Sequence, residues 1–230
     1  ADLAGQFVHW RAFGFGELAR GNLALWNPHI YCGTPFLAGF QSALLYPLNA
    51  VYLVLPLAKA INWEIALHAF LGGLFTWLWM YRRGLHPLAC FLAGAEFILC
   101  APWFMHIYAG HLPNLGTMAW APLLFLALDG ALERPCAGWC LLGSLAVAMQ
   151  ILAGHIQYVY YTGIAACLYL ALCLPGAARR LQSAACLFLF YGGGAVLAAA
   201  QILPGVEAGM DSLRGLGVPY EVAAMFSLPP

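Results

Sequence analysis

The sequence predicts an all-α fold, a polytopic transmembrane helix bundle of about six spans, with an extracytoplasmic first loop that contains interfacial helices. Three observations carry this prediction. Of 230 residues 63% are hydrophobic and 8% charged, whereas a soluble domain carries about 25% charged residues. Mean hydropathy is +0.81. From residue 61 onward, apolar runs near the roughly 20 residues that a membrane helix needs are separated by short turns of Gly, Pro, His or Arg.

The same bulk properties exclude other classes. Net charge is zero and there is no basic run, so a nucleic-acid partner has nothing to rest on. No Cys-x-x-Cys occurs among the eight cysteines. Cys136 and Cys140, four apart, are too little for a zinc site, and the cysteines read as small buried hydrophobes. The first residues lack the basic and apolar regions of a cleavable signal. The chain opens at Ala1 without Met and stops at Leu228-Pro229-Pro230 in mid-pattern, so a fragment lacking at least one N-terminal span is expected.

Three regions follow: 1–60, the extracytoplasmic loop with interfacial or re-entrant helices; 61–203, the bundle; and 204–230, the start of a second extracytoplasmic segment. In the first, Phe7, Trp10, Phe13 and Phe15 alternate with Arg11, Glu17 and Arg20. That pattern suits a helix lying in the headgroup layer. Asn27-Pro28 and Thr34-Pro35 force extended or turn geometry. Residues 44–57 are apolar but bracketed by Pro47 and Pro56, too short to cross and read as interfacial or re-entrant.

The expected spans are 61–81, 88–109, 115–132, 136–153, 156–174 and 181–203, the last carrying Gly192-Gly193-Gly194, where bare backbone permits close packing. Orientation follows from basic residues in short loops. Arg82, Arg83, Arg134, Arg179 and Arg180 occupy the turns after the first, third and fifth spans, and none occupies the turns after the second and fourth. The arginine turns are therefore placed in the cytoplasm. The opening segment, the tail and the two other turns then share the outer face. Those two turns echo each other: Ala109-Gly110-His111 and Ala153-Gly154-His155.

Residues suited to chemistry gather at this outer face. Asp2 and Gln6, four apart, share a helix face, and a surface carboxylate beside an amide can act as a general base. His111 and His155 can donate to a phosphate or a sugar hydroxyl and titrate near neutrality. Gln41, Glu64 and His68 are supporting polar residues, the last two at helical i, i+4 spacing in the outer part of the first span. Glu96 reads as the one deep acid, costly in a membrane unless paired, and His106 lies close enough to His111 to join. No metal-ligand motif such as His-Glu-x-x-His is present, so a divalent cation stays open. Trp26, Trp103, Trp120 and Tyr158 are aromatic surfaces that a sugar ring or the membrane interface uses equally.

Leu25-Trp26-Asn27-Pro28, Gly33-Thr34-Pro35-Phe36-Leu37-Ala38, Gln41-Ser42-Ala43 and Leu45-Tyr46-Pro47 resemble the opening of bacterial YfhO-type membrane proteins. Gly110-His111 with Trp120-Ala121-Pro122, Ala153-Gly154-His155-Ile156-Gln157, and the tail from Tyr220-Glu221 to Pro230 continue the resemblance along nearly the whole chain. It departs at His9-Trp10, where a proline before the tryptophan is expected. That family is similar to the GT-C glycosyltransferases. There the loop after the first span carries an acid near its start, and the donor is a polyprenyl-phosphate-linked sugar.

The resemblance implies that Asp2 is that acid, and that His111 and His155 bind the carrier phosphate. It implies a bacterial cytoplasmic membrane protein whose site faces outward, with membrane lipid and a cell-envelope acceptor as partners. Two other readings stand beside it: a lipid or small-molecule transporter or flippase, whose polar residues should line the bilayer midplane, and a non-catalytic membrane scaffold.

Overall fold

The computed structural model describes residues 2–212 together with 217, 219, 220 and 224. Arg214, Glu221 and the Phe226 to Pro230 stretch, all singled out from the sequence, lie outside the described residues. A π-helical turn, Leu3–Phe7, runs into α1 (Val8–Ala19). Its buried side is Phe7, Arg11, Gly14 and Phe15, an i, i+4, i+7 stripe. A minimal antiparallel ladder follows, β1 (Trp26–Asn27) and β2 (Thr34–Pro35), pairing Trp26 with Pro35 and Asn27 with Thr34. Pro35 is tolerated because each strand of a two-stranded ladder has a free edge.

The piece read as a re-entrant helix is a 3-10 turn, Pro47–Leu53. Pro47 starts it, and its polar centre Asn49 is fully buried, with Nδ2 donating to the Ala43 carbonyl at 3.2 Å.

The helices of the bundle are α2 (Leu57–Arg82), α3 (Pro87–Leu99), α4 (Ala101–Ala109), α5 (Leu112–Ala119), α6 (Ala121–Glu133), α7 (Ala137–Ala153), α8 (Ile156–Cys173), α9 (Arg180–Leu197) and α10 (Ala199–Met210). Prolines set four of these starts. Pro87, Pro102, Pro113 and Pro122 all sit in the first turn of a helix, where the missing N–H costs nothing. Two of them also put a break inside an expected span, while each stretch as a whole, Pro87–Ala109 and Leu112–Glu133, is long and apolar enough to cross. Residues 88–109 break at Cys100, whose backbone is extended at φ −68 and ψ 157, because the Pro102 ring excludes the carbonyl four residues back. Residues 115–132 pause at Trp120, two residues before Pro122. The last helix stops at Leu197, and α10 carries helix on into the tail region.

Among the described residues, four helical stretches are long and apolar enough to cross a membrane: Pro87–Ala109, Leu112–Glu133, Ile156–Gly176 and Arg180–Leu197. Leu112–Glu133 is central, with 78% of its apolar window buried, against 17% for Pro87–Ala109 and for Ile156–Gly176. α2 has 26 residues, but Lys59, Asn62, Glu64 and His68 make its first half polar. α7 has 17 residues, about 25 Å of helix.

Small residues are spent on close packing. A methyl on Gly94 would sit 2.7 Å from the Gly73 carbonyl oxygen, where α2 crosses α3. Along α7 and α9, Gly143 lies under Phe190, and the Ser144 hydroxyl donates to the Leu189 carbonyl at 3.0 Å.

The opening segment has a core of its own, with Phe7, Phe15, Phe36, Leu44 and Tyr52 packed over Ile61 and Leu112. Each such side chain contributes about 1.5–3 kcal/mol by leaving water, so the segment is held as firmly as the bundle beneath it.

Candidate functional site

Two helices end alike. α4 and α7 terminate at Gly110 (φ +82) and Gly154 (φ +101), both left-handed, a backbone that glycine adopts freely. Each glycine is followed by histidine, and each carries the opening segment directly on its bare Cα. A methyl on Gly110 would strike Leu3, and one on Gly154 would come 2.6 Å from the Phe40 carbonyl oxygen. The two echoing turns are thus the seats on which residues 3 and 40–41 rest.

Asp2 stands at the N-terminal end of the π turn without capping it, so its carboxylate is free to reach outward. Its Oδ2 lies 2.7 Å from His111 Nε2. His111 Nδ1 lies 3.1 Å from His106 Nδ1, and His106 Nε2 lies 2.8 Å from the Tyr158 hydroxyl. The Tyr158 ring packs on His155, with centroids 4.9 Å apart. Contacts therefore run unbroken from the acid of the opening segment to the second Gly-His turn.

The order of donors in this chain follows the protonation state of His111. An ionised carboxylate only accepts, so His111 donates from Nε2. With His111 neutral, its Nδ1 accepts from His106 Nδ1–H, and His106 Nε2 accepts from the Tyr158 O–H. With His111 protonated, the two inner bonds reverse. One proton taken up or released at this end re-sorts the whole row, as a relay requires.

His155 differs from the others. Its Nδ1 is buried with no hydrogen-bond partner among the described residues. Burial, followed by the neighbouring His106, holds its pKa below the ordinary histidine value.

Behind this row lies a buried clamp. Arg11, fully buried, pairs with Glu64 through Nη2 to Oε1 at 3.1 Å. It also donates to the Gln41 carbonyl at 3.3 Å and to the Ser42 carbonyl. The Tyr52 hydroxyl donates to the same Glu64 carboxylate. Burial works against the Arg11 charge, but Glu64 and then Tyr52 outweigh it and raise its pKa. Burial first, then the Glu64 charge, pushes Tyr52 up.

His68 is fully buried, with Nδ1 2.6 Å from the Glu64 carbonyl oxygen and Nε2 2.7 Å from the Tyr46 hydroxyl. Gln6 donates to Gln41 at 3.1 Å. Glu64 and His68 therefore fasten the opening segment to α2, Gln6 and Gln41 tie that segment to itself, and Asp2, His111 and His155 belong to the row at the other side.

Glu96 stands apart. It is exposed on the outer side of α3, and no hydrogen bond or ion pair reaches it among the described residues. Nor is it the one deep acid. Asp129 in α6, 8% exposed, is bound by three side chains from two other helices or their ends: Trp79, Arg83 and Tyr169. The rule that flags an acid in an apolar run applies to Asp129 as well as to Glu96, and would have found it.

Arg11 was read as a headgroup charge, and its deep burial corrects that reading. Trp103 and Trp120 are core residues, 0% and 7% exposed, whereas Trp26 is 54% exposed. No group of three or more His, Cys, Asp or Glu is arranged to hold a metal ion among the described residues.

Fold and site together define a helical protein with four membrane-length apolar helices and a polar row at one end of the bundle. Comparison with protein-family models, with curated proteins and with solved structures finds no match.

Proposed function

We propose that this protein is an integral membrane glycosyltransferase, moving a sugar from a polyprenyl-phosphate carrier to a cell-envelope acceptor on the extracytoplasmic side. The observation that carries the reading is the Asp2–His111 contact: a mostly exposed carboxylate, backed by an imidazole row, at the end of an apolar bundle. The resemblance to YfhO-type and GT-C proteins supports it. So does the bias of Arg82, Arg83, Arg134, Arg179 and Arg180 to the turns after the first, third and fifth expected spans, which supports an outward-facing Asp2 end. With α2 and α7 counted beside the four long apolar helices, six spans result.

In this reading the acceptor hydroxyl oxygen forms the new bond to the anomeric carbon. The bond from that carbon to the phosphate oxygen breaks, and its electron pair leaves on the polyprenyl phosphate. The acceptor proton goes to the free oxygen of Asp2. His111, engaged through both ring nitrogens, orients Asp2 and passes charge to His106 and Tyr158. His155 is the imidazole left for the carrier phosphate, where a donor stabilises the charge that develops on departure.

The isoprenoid tail has a slot. An apolar groove of about 580 Å3 runs along α8 against α9, lined by Ile156, Val159, Gly163, Ile164 and Tyr191, and it begins beside His155. Gly72, by contrast, is filled by Phe97 and Trp103.

The test is sugar transfer by the intact protein in vesicles charged with a radiolabelled polyprenyl-phosphate sugar. Asp2→Asn should lower transfer by on the order of 10²–10⁴, with insertion and expression unchanged. Full transfer by that variant would remove Asp2 from the mechanism.

A transporter is the second reading, favoured by the helix broken at Cys100 with Glu96 one turn before it, since broken helices mark many transport sites. Flipping or uptake in the same vesicles, without sugar transfer, would put that reading first.

A further inference from the structure

The exposed side of the opening helix borders a groove of about 600 Å3, closed on its far side by the β1–β2 hairpin. We propose that this groove binds the acceptor, and that the acceptor is an elongated, uncharged glycan chain. The proposal rests on the glycosyltransferase reading for the word acceptor, but its binding claim stands on the groove alone.

The floor is the first observation. Gly5 and Gly16 both line the groove, and a methyl added to either would meet nothing within 4 Å. Neither has a positive φ. Glycine inside a helix costs about 1 kcal/mol relative to alanine. Gly14 repays that cost by letting Leu44 and Phe36 close on it. Gly5 and Gly16 repay nothing within the fold, and what they provide is clearance. They are eleven positions apart on the helix, about 16 Å of length, with His9 and Ala12 between them on the same face, so the floor is a long strip with a clearing at each end and an imidazole between.

The walls are the second. Trp10 and Phe13 supply apolar faces, and Phe13 is held edge-on to His29 at 5.4 Å. An aromatic face takes the C–H side of a sugar ring as it takes any apolar surface. His9, Asn27 and His29 supply hydrogen-bonding groups. The two charged residues, Glu17 and Arg20, are already paired at 2.7 Å. The lining thus offers an ion no excess of either charge, while a polyol can hydrogen-bond to both members of the pair.

The third is where the groove ends. Asp2 lies one turn before Gly5, and both are exposed. A chain laid along the floor brings its terminal unit to the carboxylate that would take its proton. The opposite side of that carboxylate is held by His111, so acceptor and donor approach Asp2 from different sides.

The experiment uses the intact protein in lipid nanodiscs. Isothermal titration is run against cellohexaose, chitohexaose and a linear mannan oligosaccharide, with a neutral hydrophilic peptide of similar length as the competing probe. Wild type should bind at least one glycan. Gly16→Phe and Gly5→Phe should weaken that binding tenfold or more, Gly16→Ala should keep it, and Asp2→Asn should keep it while losing transfer. Binding of none of the glycans by wild type, undiminished binding by Gly16→Phe, or stronger binding of the peptide would overturn the proposal.

The two readings separate cleanly. Glycan binding that responds to Gly16→Phe, in a protein that transfers no sugar, keeps the groove and ends the glycosyltransferase reading. Transfer with an unchanged acceptor KM in Gly16→Phe ends the groove and keeps the enzyme.

Discussion

Asp129 and Asp2 sit at opposite ends of the bundle and differ in how much of each carboxylate is spoken for. Asp129 accepts from Trp79 Nε1 at 2.7 Å and Arg83 Nε at 2.7 Å on one oxygen, and from Tyr169 and Arg83 Nη2 on the other. Arg83 also stacks over Trp79 and Tyr169. Every lone pair has a use, and the result is a tie between α2, α6 and α8. Asp2 is 60% exposed, and among the described residues His111 is the one side chain that holds it. A saturated carboxylate has nothing to offer a substrate, while one oriented on a single side can still take a proton. Glu64 falls with Asp129, at 3% exposure and bound by Arg11 and Tyr52.

The contrast breaks if removing a saturated acid leaves the fold intact. Glu64→Ala should have the largest effect on stability. It strands the fully buried Arg11 guanidinium, and an unpaired buried charge costs about 3–5 kcal/mol. In thermal unfolding of the intact protein in detergent, Tm should fall by roughly 6–20 °C at about 2–4 °C per kcal/mol. A Tm within two or three degrees of wild type, on the order of 1 kcal/mol, would mean that the clamp does not hold the opening segment.

Asp129→Asn comes next. The amide keeps one acceptor for Tyr169 or Trp79 but loses the charge facing Arg83, which is 41% exposed and can turn to water. A loss of about 1–3 kcal/mol is expected, with sugar transfer per folded molecule unchanged. Loss of transfer with full stability would show Asp129 to be functional, and the sorting of acids by saturation would fail.

Much of this was legible in the residues, and what was not has a common cause. The apolar runs announce the helices because burial in lipid requires length and apolarity, both local properties. The Gly-His turns announce themselves because a left-handed C-terminal glycine is also local. Pro102 and Pro122 are equally local signals, and they mark the breaks inside 88–109 and 115–132, two stretches that still have membrane length and apolarity.

Partnerships are not local. Asp2 and His111 are 109 positions apart, and Arg11 and Glu64 are 53 apart, so no spacing rule connects them. Arg11 looks like an interfacial charge because its sequence neighbours are aromatic, and only the return of α2 beneath the opening helix buries it. Asp129 stands in an apolar run as plainly as Glu96 does, but its partners Trp79, Arg83 and Tyr169 are 40 or more positions away and no local pattern announces them.

Tyr158→Phe sharpens the comparison on the Asp2 side. It deletes only the hydroxyl at the far end of the imidazole row, so stability should change by less than about 1.5 kcal/mol. If the row acts through Asp2, transfer should fall roughly tenfold, equivalent to about 1.4 kcal/mol. The double variant with Asp2→Asn should then be no worse than Asp2→Asn alone, because the two changes interrupt one chain. Strictly additive losses would cut Tyr158 loose from Asp2.

The smallest effect concerns His155, and its sign is fixed by burial. The folded protein holds this imidazole below its ordinary pKa, chiefly by desolvation and then by the nearby His106, while the unfolded chain protonates it near about 6.5. Above that pH both states are neutral here and the contribution to stability is fully present. As pH falls toward the folded value, the unfolded state takes up the proton first, and the contribution is lost at up to about 1.4 kcal/mol per pH unit. His155→Gln removes this proton from the balance. Between pH 7.5 and 5.5, unfolding of the intact protein should therefore weaken more steeply in wild type than in the variant. Parallel declines would mean that His155 is as readily charged in the folded protein as in the unfolded one. A residue so solvated could not be the sequestered imidazole that waits, unpaired, for a phosphate.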